Sequence, residues 1–183
     1  MTSKEKQQHF MQAYEKMHVG FVKYCKAHAY GIMDYKDLHS EAVTRAFEGF
    51  EKLKNKTQLP AYIYGITKNI IKNELRKKSN ANRYEHYKAQ EEPIINNNAE
   101  QNLNINTLYR ALKQLSSEQK EAIVLFEISG YSIKEIAEMQ KSTVSSVKQR
   151  LKRGREKLLQ ILLQEERIRE VPPKSVRLLS LFL

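Results

Sequence analysis

Residues 132–158 read SIKEIAEMQKSTVSSVKQRLKRGREKL, and their spacing decides the fold. Gly130 ends one helix; Ser132 can cap the next, with Glu135 three residues on to complete a capping box. Ile133, Ile136, Ala137 and Met139 supply the buried face of a short helix. After a turn at Lys141-Ser142-Thr143, the residues Val144, Val147, Leu151 and Leu158 resume the apolar stripe on a longer one. Small Ala137 lets the two helices approach closely, so the pattern predicts a helix-turn-helix. Between 141 and 157 stand seven basic residues, Lys141, Lys148, Arg150, Lys152, Arg153, Arg155 and Lys157, against one acid, Glu156. Ser145, Ser146, Lys148, Gln149 and Lys152 carry the donors and acceptors that reach base edges in a major groove, and Arg153 and Arg155 can hold phosphates. The competing reading is an ordinary solvated helix face, which the turn in front of it disfavours.

Working outward, Leu108, Leu112 and Leu115, then Ala122, Ile123, Leu125, Phe126 and Ile128, repeat at helical spacing and place a domain over 107–166. Residues 80–106 are rich in Asn, Glu, Gln, Lys and Ser, include the run Asn96-Asn97-Asn98, and read as a polar flexible linker. Before it, over 1–79, Phe10, Tyr14, Met17, Phe21 and Cys25 line one face of a helix. A second helix starts at Asp34, a suitable N-cap, and turns Leu38, Ala42, Val43, Ala46, Phe47 and Phe50 inward. Residues 51–59 read as a loop. Pro60 suits the first turn of a third helix, which buries Ile63, Ile66 and Ile70 and carries Lys68, Lys72 and Arg76 as a basic ridge. The fold class is therefore all-α: two small helical domains joined by a polar linker, the second containing the helix-turn-helix. Residues 167–183 form an apolar carboxyl-terminal extension of unassigned role, too short to cross a bilayer.

The 183 residues carry a formal charge of +11, from 32 Lys and Arg against 21 Asp and Glu, which favours a polyanionic partner. The lone Cys25 cannot pair within the chain. The polar first eight residues lack a signal-peptide pattern, and no run of apolar residues suffices for a membrane span, so a soluble cytoplasmic protein without membrane insertion is expected. The five histidines show no metal-ligand spacing and the acids form no catalytic pair; no metal, cofactor or enzymatic activity is expected. Phe50, Tyr62 and Tyr64 could stack on bases, although aromatics at such positions more often fill a core.

The quoted stretch, through Ser132, Glu135-Ile136-Ala137, Val144, Val147-Lys148, Arg150-Leu151, Arg153 and Arg155, resembles the region-four helix-turn-helix of extracytoplasmic-function sigma factors of bacterial RNA polymerase. Upstream, Asp37-Leu38-His39-Ser40-Glu41-Ala42-Val43 resembles that family's clamp-binding helix. The run Ala61-Tyr62-Ile63-Tyr64-Gly65-Ile66-Thr67-Lys68-Asn69, with Asn73 and Arg76, resembles its promoter-melting helix. The resemblance implies a non-catalytic initiation subunit that binds core RNA polymerase, at the clamp coiled coil of the largest subunit and at the flap, and directs promoter recognition and DNA opening. It also implies an anti-sigma factor or an accessory recruiting protein as a further partner. Asp37, Leu38, Ser40 and Glu41 would touch the clamp. Phe50, Lys52, Lys54, Asn55, Lys68, Asn69, Lys72, Asn73 and Arg76 would hold the minus-ten element. Ser145, Ser146, Lys148, Gln149, Lys152, Arg153 and Arg155 would engage the upstream, minus-thirty-five element. The chain departs from the family pattern at Ser40 (usually Gln), Tyr62 (Trp), Asn73 (Asp), Lys141 (Gly) and Ser142 (apolar). A left-handed Lys141 would cost about 1 kcal/mol relative to Gly. The alternatives are a helix-turn-helix regulator that is not a polymerase subunit, and a basic RNA-binding protein.

Overall fold

A computed structural model describes residues 3–81 and 99–169, and every element among them is helical. The chain divides into two units between Glu91 and Glu92. The first holds α1 (Ser3–Glu15), α2 (His18–Ala29), α3 (Tyr35–Gly49), short 3-10 turns at Phe50–Lys52 and Lys56–Gln58, and α4 (Leu59–Ala81).

The stripe Phe10, Tyr14, Met17, Phe21 and Cys25 is buried throughout, but on two helices rather than the single one its periodicity suggests. Met17 makes the joint: its N–H bonds Tyr14 O at 2.9 Å, three residues back, while Phe21 N–H bonds Met17 O at 2.8 Å. One tightened turn thus breaks the α-helical ladder without rotating the apolar face out of the core. Asp34 caps α3, accepting from Lys36 N–H at 2.6 Å. Leu38, Ala42 and Ala46 face α2 and α4, and Phe50 closes the core edge-on to Phe10 at 5.3 Å. Tyr24 and Phe21 pack against Tyr64 of α4 with centroids at 4.4 and 5.5 Å. Each such fully buried aromatic contributes on the order of 2 kcal/mol. Thr67, the buried polar residue of α4, donates its hydroxyl to Ile63 O at 2.7 Å and so needs no partner outside its own helix. Gly49, the last residue of α3, makes room for Tyr62 of α4, whose hydroxyl would clash with a Cβ there.

The second unit holds α5 (Ala99–Lys113), α6 (Ser117–Ile123) running on as a π-turn (Val124–Ile128), α7 (Ile133–Met139) and α8 (Val144–Arg169). α5 starts at Ala99, inside the stretch whose composition reads as linker; residues 82–98 and the extension from 170 lie outside the described residues. Ser116 with Gln119, and Ser132 with Glu135, form complete capping boxes. The core gathers Leu112, Ala122, Leu125, Ile136, Val147 and Leu151. Gly154 lets α8 lie tight on α6, since a Cβ there would meet Ile123 Cδ1 at 2.8 Å. Val144, expected on the apolar stripe, is instead 39% exposed, because it opens α8 at the turn, ahead of the first residue to reach the core, Val147.

Candidate nucleic-acid interface

α7 closes in a Schellman motif: Ser142 N–H bonds Ala137 O at 2.9 Å and Lys141 N–H bonds Glu138 O at 3.1 Å. That geometry puts Lys141 in the left-handed region at φ 48°, where glycine is the usual occupant. Thr143 then starts α8 by accepting from Ser146 N–H at 3.1 Å, and the two hydroxyls lie 2.8 Å apart. Ser146 is therefore engaged in the cap and only partly exposed.

Ser145, Lys148, Gln149, Lys152 and Arg153 are all exposed, at spacings that gather them on one face of α8, with Val147, Leu151 and Leu158 buried on the opposite face. Two expected cations behave differently. Arg155 sends Nε and Nη2 to Glu127 Oε1 at 2.8 and 2.5 Å, and its guanidinium centre lies 5.5 Å from the Phe126 ring centroid. Its side chain is 33% exposed and that of Glu127 13%, so this upstream-element candidate is tied into the fold. Arg150 sends Nη1 to Gln140 Oε1 at 2.6 Å and Ser142 Oγ at 3.1 Å, and Gln140 donates in turn to the buried Glu121 at 3.2 Å. Glu121, Glu127 and Gln140 were not marked by sequence periodicity, because their partners lie across the turn. Lys120 of α6 has its ammonium pushed down to about 8 by burial and by neighbouring Lys113.

On α4 of the first unit, Lys68, Asn69, Lys72, Asn73 and Arg76 are exposed along one side, opposite Ile63, Tyr64 and Ile70. Lys52 and Lys54 are exposed on the preceding loop. Asn55 is exposed too, but its side chain accepts from Thr57 N–H and hydroxyl at 2.9 and 2.8 Å, which shapes the turn. Phe50, expected to meet the minus-ten element, is fully buried and cannot present its ring there, because the 3-10 turn after α3 points it into the aromatic cluster. Lys56 holds that loop, donating to Phe50 O at 2.5 Å and Leu53 O at 3.0 Å with its ammonium 4.5 Å from the Phe50 ring centroid. Of the aromatic candidates, Tyr64 is also buried, while Tyr62 is partly exposed over Gly49.

On α3, Asp37 and Ser40 are exposed and Glu41 is paired with Arg45 at 2.5 Å. Leu38 corrects the expected clamp set: it is fully buried, since it lies on the core side of an amphipathic helix whose opposite side carries Asp37 and Ser40. Between α3 and α4 a cavity of about 430 Å³ is lined by Glu41, Arg45, Ile70, Asn73, Arg76 and Lys77, among others. Behind α3, the Tyr14 hydroxyl lies 2.6 Å from His39 Nε2 and 3.0 Å from His18 Nδ1. A phenol has one proton, so it can donate to only one of these imidazoles. Burial, then the neighbouring His18, pushes the His39 pKa below its usual range. Among the described residues no cluster of three or more His, Cys, Asp or Glu could hold a metal, and no helix is long and apolar enough to cross a membrane.

The sequence family described as Sigma-70, region 4 matches residues 105–158, which span most of the second unit. The match takes in the helix-turn-helix of α7 and the first half of α8. Over 128 residues the chain is 27% identical to the ECF RNA polymerase sigma factor EcfG of Rhodopseudomonas palustris (strain TIE-1), covering 69% of this chain and 70% of that one. The fold matches the sigma factor RpoE of Bartonella quintana, solved with the anti-sigma factor NepR, with a TM-score of 0.66, 21% identity, and coverage of 87% of this chain and 97% of RpoE. It also matches CnrH, solved with the cytosolic domain of CnrY, with a TM-score of 0.63 at 20% identity over 85% of this chain and 88% of CnrH. Over most of its length the chain is thus similar to extracytoplasmic-function sigma factors, and it shares their fold.

Proposed function

We propose that this chain binds core RNA polymerase through the exposed side of α3, reads duplex promoter DNA with α8, and holds the opened nontemplate strand along α4 and the loop before it. The observation that carries this reading is a pair of long helices, one per unit, each with its core on one face and a basic, amide-bearing stripe on the other. On α8 the stripe follows a helix-turn-helix, and Gln149 and Lys152 offer hydrogen bonds to base edges in a major groove. On α4 Lys68, Lys72 and Arg76 supply sequence-independent attraction for an extended strand, while Asn69 and Asn73 offer amides to an unstacked base. Capture of that base offsets a few kcal/mol of unpairing, so strand opening needs no covalent step from this chain.

The partners in this reading are the clamp and flap of polymerase, promoter DNA, and an anti-sigma protein, the last supported by the complex in which RpoE was solved with the anti-sigma factor NepR. Such a protein works in the cytoplasm. The test is association of the purified chain with core polymerase. Charge reversal at both Asp37 and Glu41 weakens it in this reading, and unchanged affinity in a folded double variant rejects the α3 assignment.

A further inference from the structure

The turn that holds the two departures in the helix-turn-helix, Lys141 and Ser142, is gripped by a single guanidinium. Arg150, one and a half turns into α8, reaches back so that Nη1 lies 2.6 Å from Gln140 Oε1 and 3.1 Å from Ser142 Oγ. These acceptors belong to the residues immediately before and after Lys141, which is left-handed at φ 48°. Gln140 is the C-cap of α7, and its amide nitrogen donates to Glu121 Oε2 at 3.2 Å. Glu121 is a buried carboxylate on α6. A polarised chain therefore runs from Glu121 through Gln140 and Arg150 to Ser142, joining α6, the end of α7, the turn and α8. Hydrogen bonds with an ionised partner are about twice as strong as neutral ones, and their low exposure strengthens them further.

We propose that Arg150 is a positioning residue for sequence selection: it locks the strained turn and thereby sets the angle at which Ser145, Lys148, Gln149 and Lys152 are offered to duplex DNA. The proposal rests on the reading of α8 as the duplex-contacting helix. A non-glycine residue in the left-handed region is held only where its surroundings over-determine it. Here the Schellman bonds fix one side, and the Arg150 fork fixes the side chains on both neighbours. Base readout depends on bidentate geometry at a groove floor, whereas phosphate attraction tolerates small rotations of the helix. Loss of the fork therefore removes discrimination before it removes affinity. Arg150 itself is only partly exposed, turned toward the turn and away from the stripe of Gln149 and Lys152.

The experiment uses the full chain assembled with core polymerase. A duplex enriched from a randomised pool by the wild type is compared with a scrambled duplex over a range of salt. Arg150→Ala should lower the matched-to-scrambled affinity ratio by about tenfold while leaving the salt slope unchanged, and Gln140→Met should lower the ratio less. Lys141→Gly, which removes the left-handed penalty, should restore part of the ratio in the Arg150→Ala background. A direct DNA contact gives the opposite pattern. If Arg150 touches phosphate, its removal weakens both duplexes alike and flattens the salt slope by about one unit; if it touches a base, Lys141→Gly restores nothing. Either result overturns the proposal. Amide exchange in the free chain supplies an arm independent of DNA: Arg150→Ala should speed exchange at Ser142 and Ser146, and unchanged protection there overturns the positioning role. A wild type that enriches no sequence defeats the reading of α8, and the exchange arm still decides the role of Arg150.

Discussion

α4 and α8 are both long basic helices with one face in a core, yet they distribute their cations differently. On α4 Lys72 and Arg76 make no ion pair among the described residues, and the first unit is held by an aromatic cluster around Phe10, Phe21, Tyr24, Phe50 and Tyr64. On α8 two arginines turn inward, Arg150 to the turn and Arg155 to Glu127 of the π-turn. The difference follows from size. α7 is only seven residues long and buries just Ile136 and Ala137, so ionic hydrogen bonds help to fix the turn that follows it. A surface that grips an extended strand tolerates small displacements; one that reads base edges needs a fixed frame.

The largest expected effect separates the two helices directly. Arg155→Ala should destabilise the second unit by about 2 to 3 kcal/mol, because it leaves a mostly buried Glu127 carboxylate without its partner. Arg76→Ala on α4 should change stability by less than about 0.5 kcal/mol. Denaturant titration of both variants measures this, and equal costs would erase the contrast. Next, Gln149→Ala and Lys152→Ala should each weaken binding to a preferred duplex by about 2 kcal/mol with little effect on scrambled DNA. Lys72→Ala should instead lower single-strand binding evenly across sequences, with a salt slope smaller by about 0.7.

The smaller effects concern pH. Lys120 is held to about 8 in the folded chain, against 10.5 ordinarily, so between those values the unfolded state retains a proton that the folded state has released. The second unit should gain stability as pH rises through that window, and Lys120→Met at pH 7 should stabilise it by about 1 kcal/mol, read as a higher melting temperature. His39 works in the other unit. Its folded pKa lies below the ordinary 6.5, so the unfolded chain binds the proton first and the first unit loses stability as pH falls below that value. Amide exchange in α1 to α4 between pH 7 and 5.5 should show that loss, and His39→Gln should reduce it.

Much of this organisation is legible in the residues. Asp34 and Ser132 cap helices because capping chemistry is local, and the left-handed Lys141 follows from standing where glycine is usual. At Leu38 and Phe50 helical periodicity points inward, and both are core; the resemblance, which matches motif positions but not the direction of a side chain, places them at contact surfaces instead. Arg155 reads as one more basic residue on a cationic helix because its partner Glu127 is 28 positions away, brought near only by the turn. Arg150 shows the same limit at shorter range, since its acceptors on Gln140 and Ser142 reach it only once α8 has folded back beside α7.

The most direct test of the account is reconstituted initiation: core RNA polymerase, the purified chain and double-stranded chromosomal DNA, with the 5′ ends of transcripts mapped. The expected result is stoichiometric association with core enzyme and defined start sites that appear only when the chain is present. Gln149→Ala and Lys152→Ala should weaken those starts on duplex and on premelted templates alike, whereas premelting should rescue the defect of Lys72→Ala with Arg76→Ala. A chain that binds DNA but neither associates with core polymerase nor changes where transcription begins would contradict it.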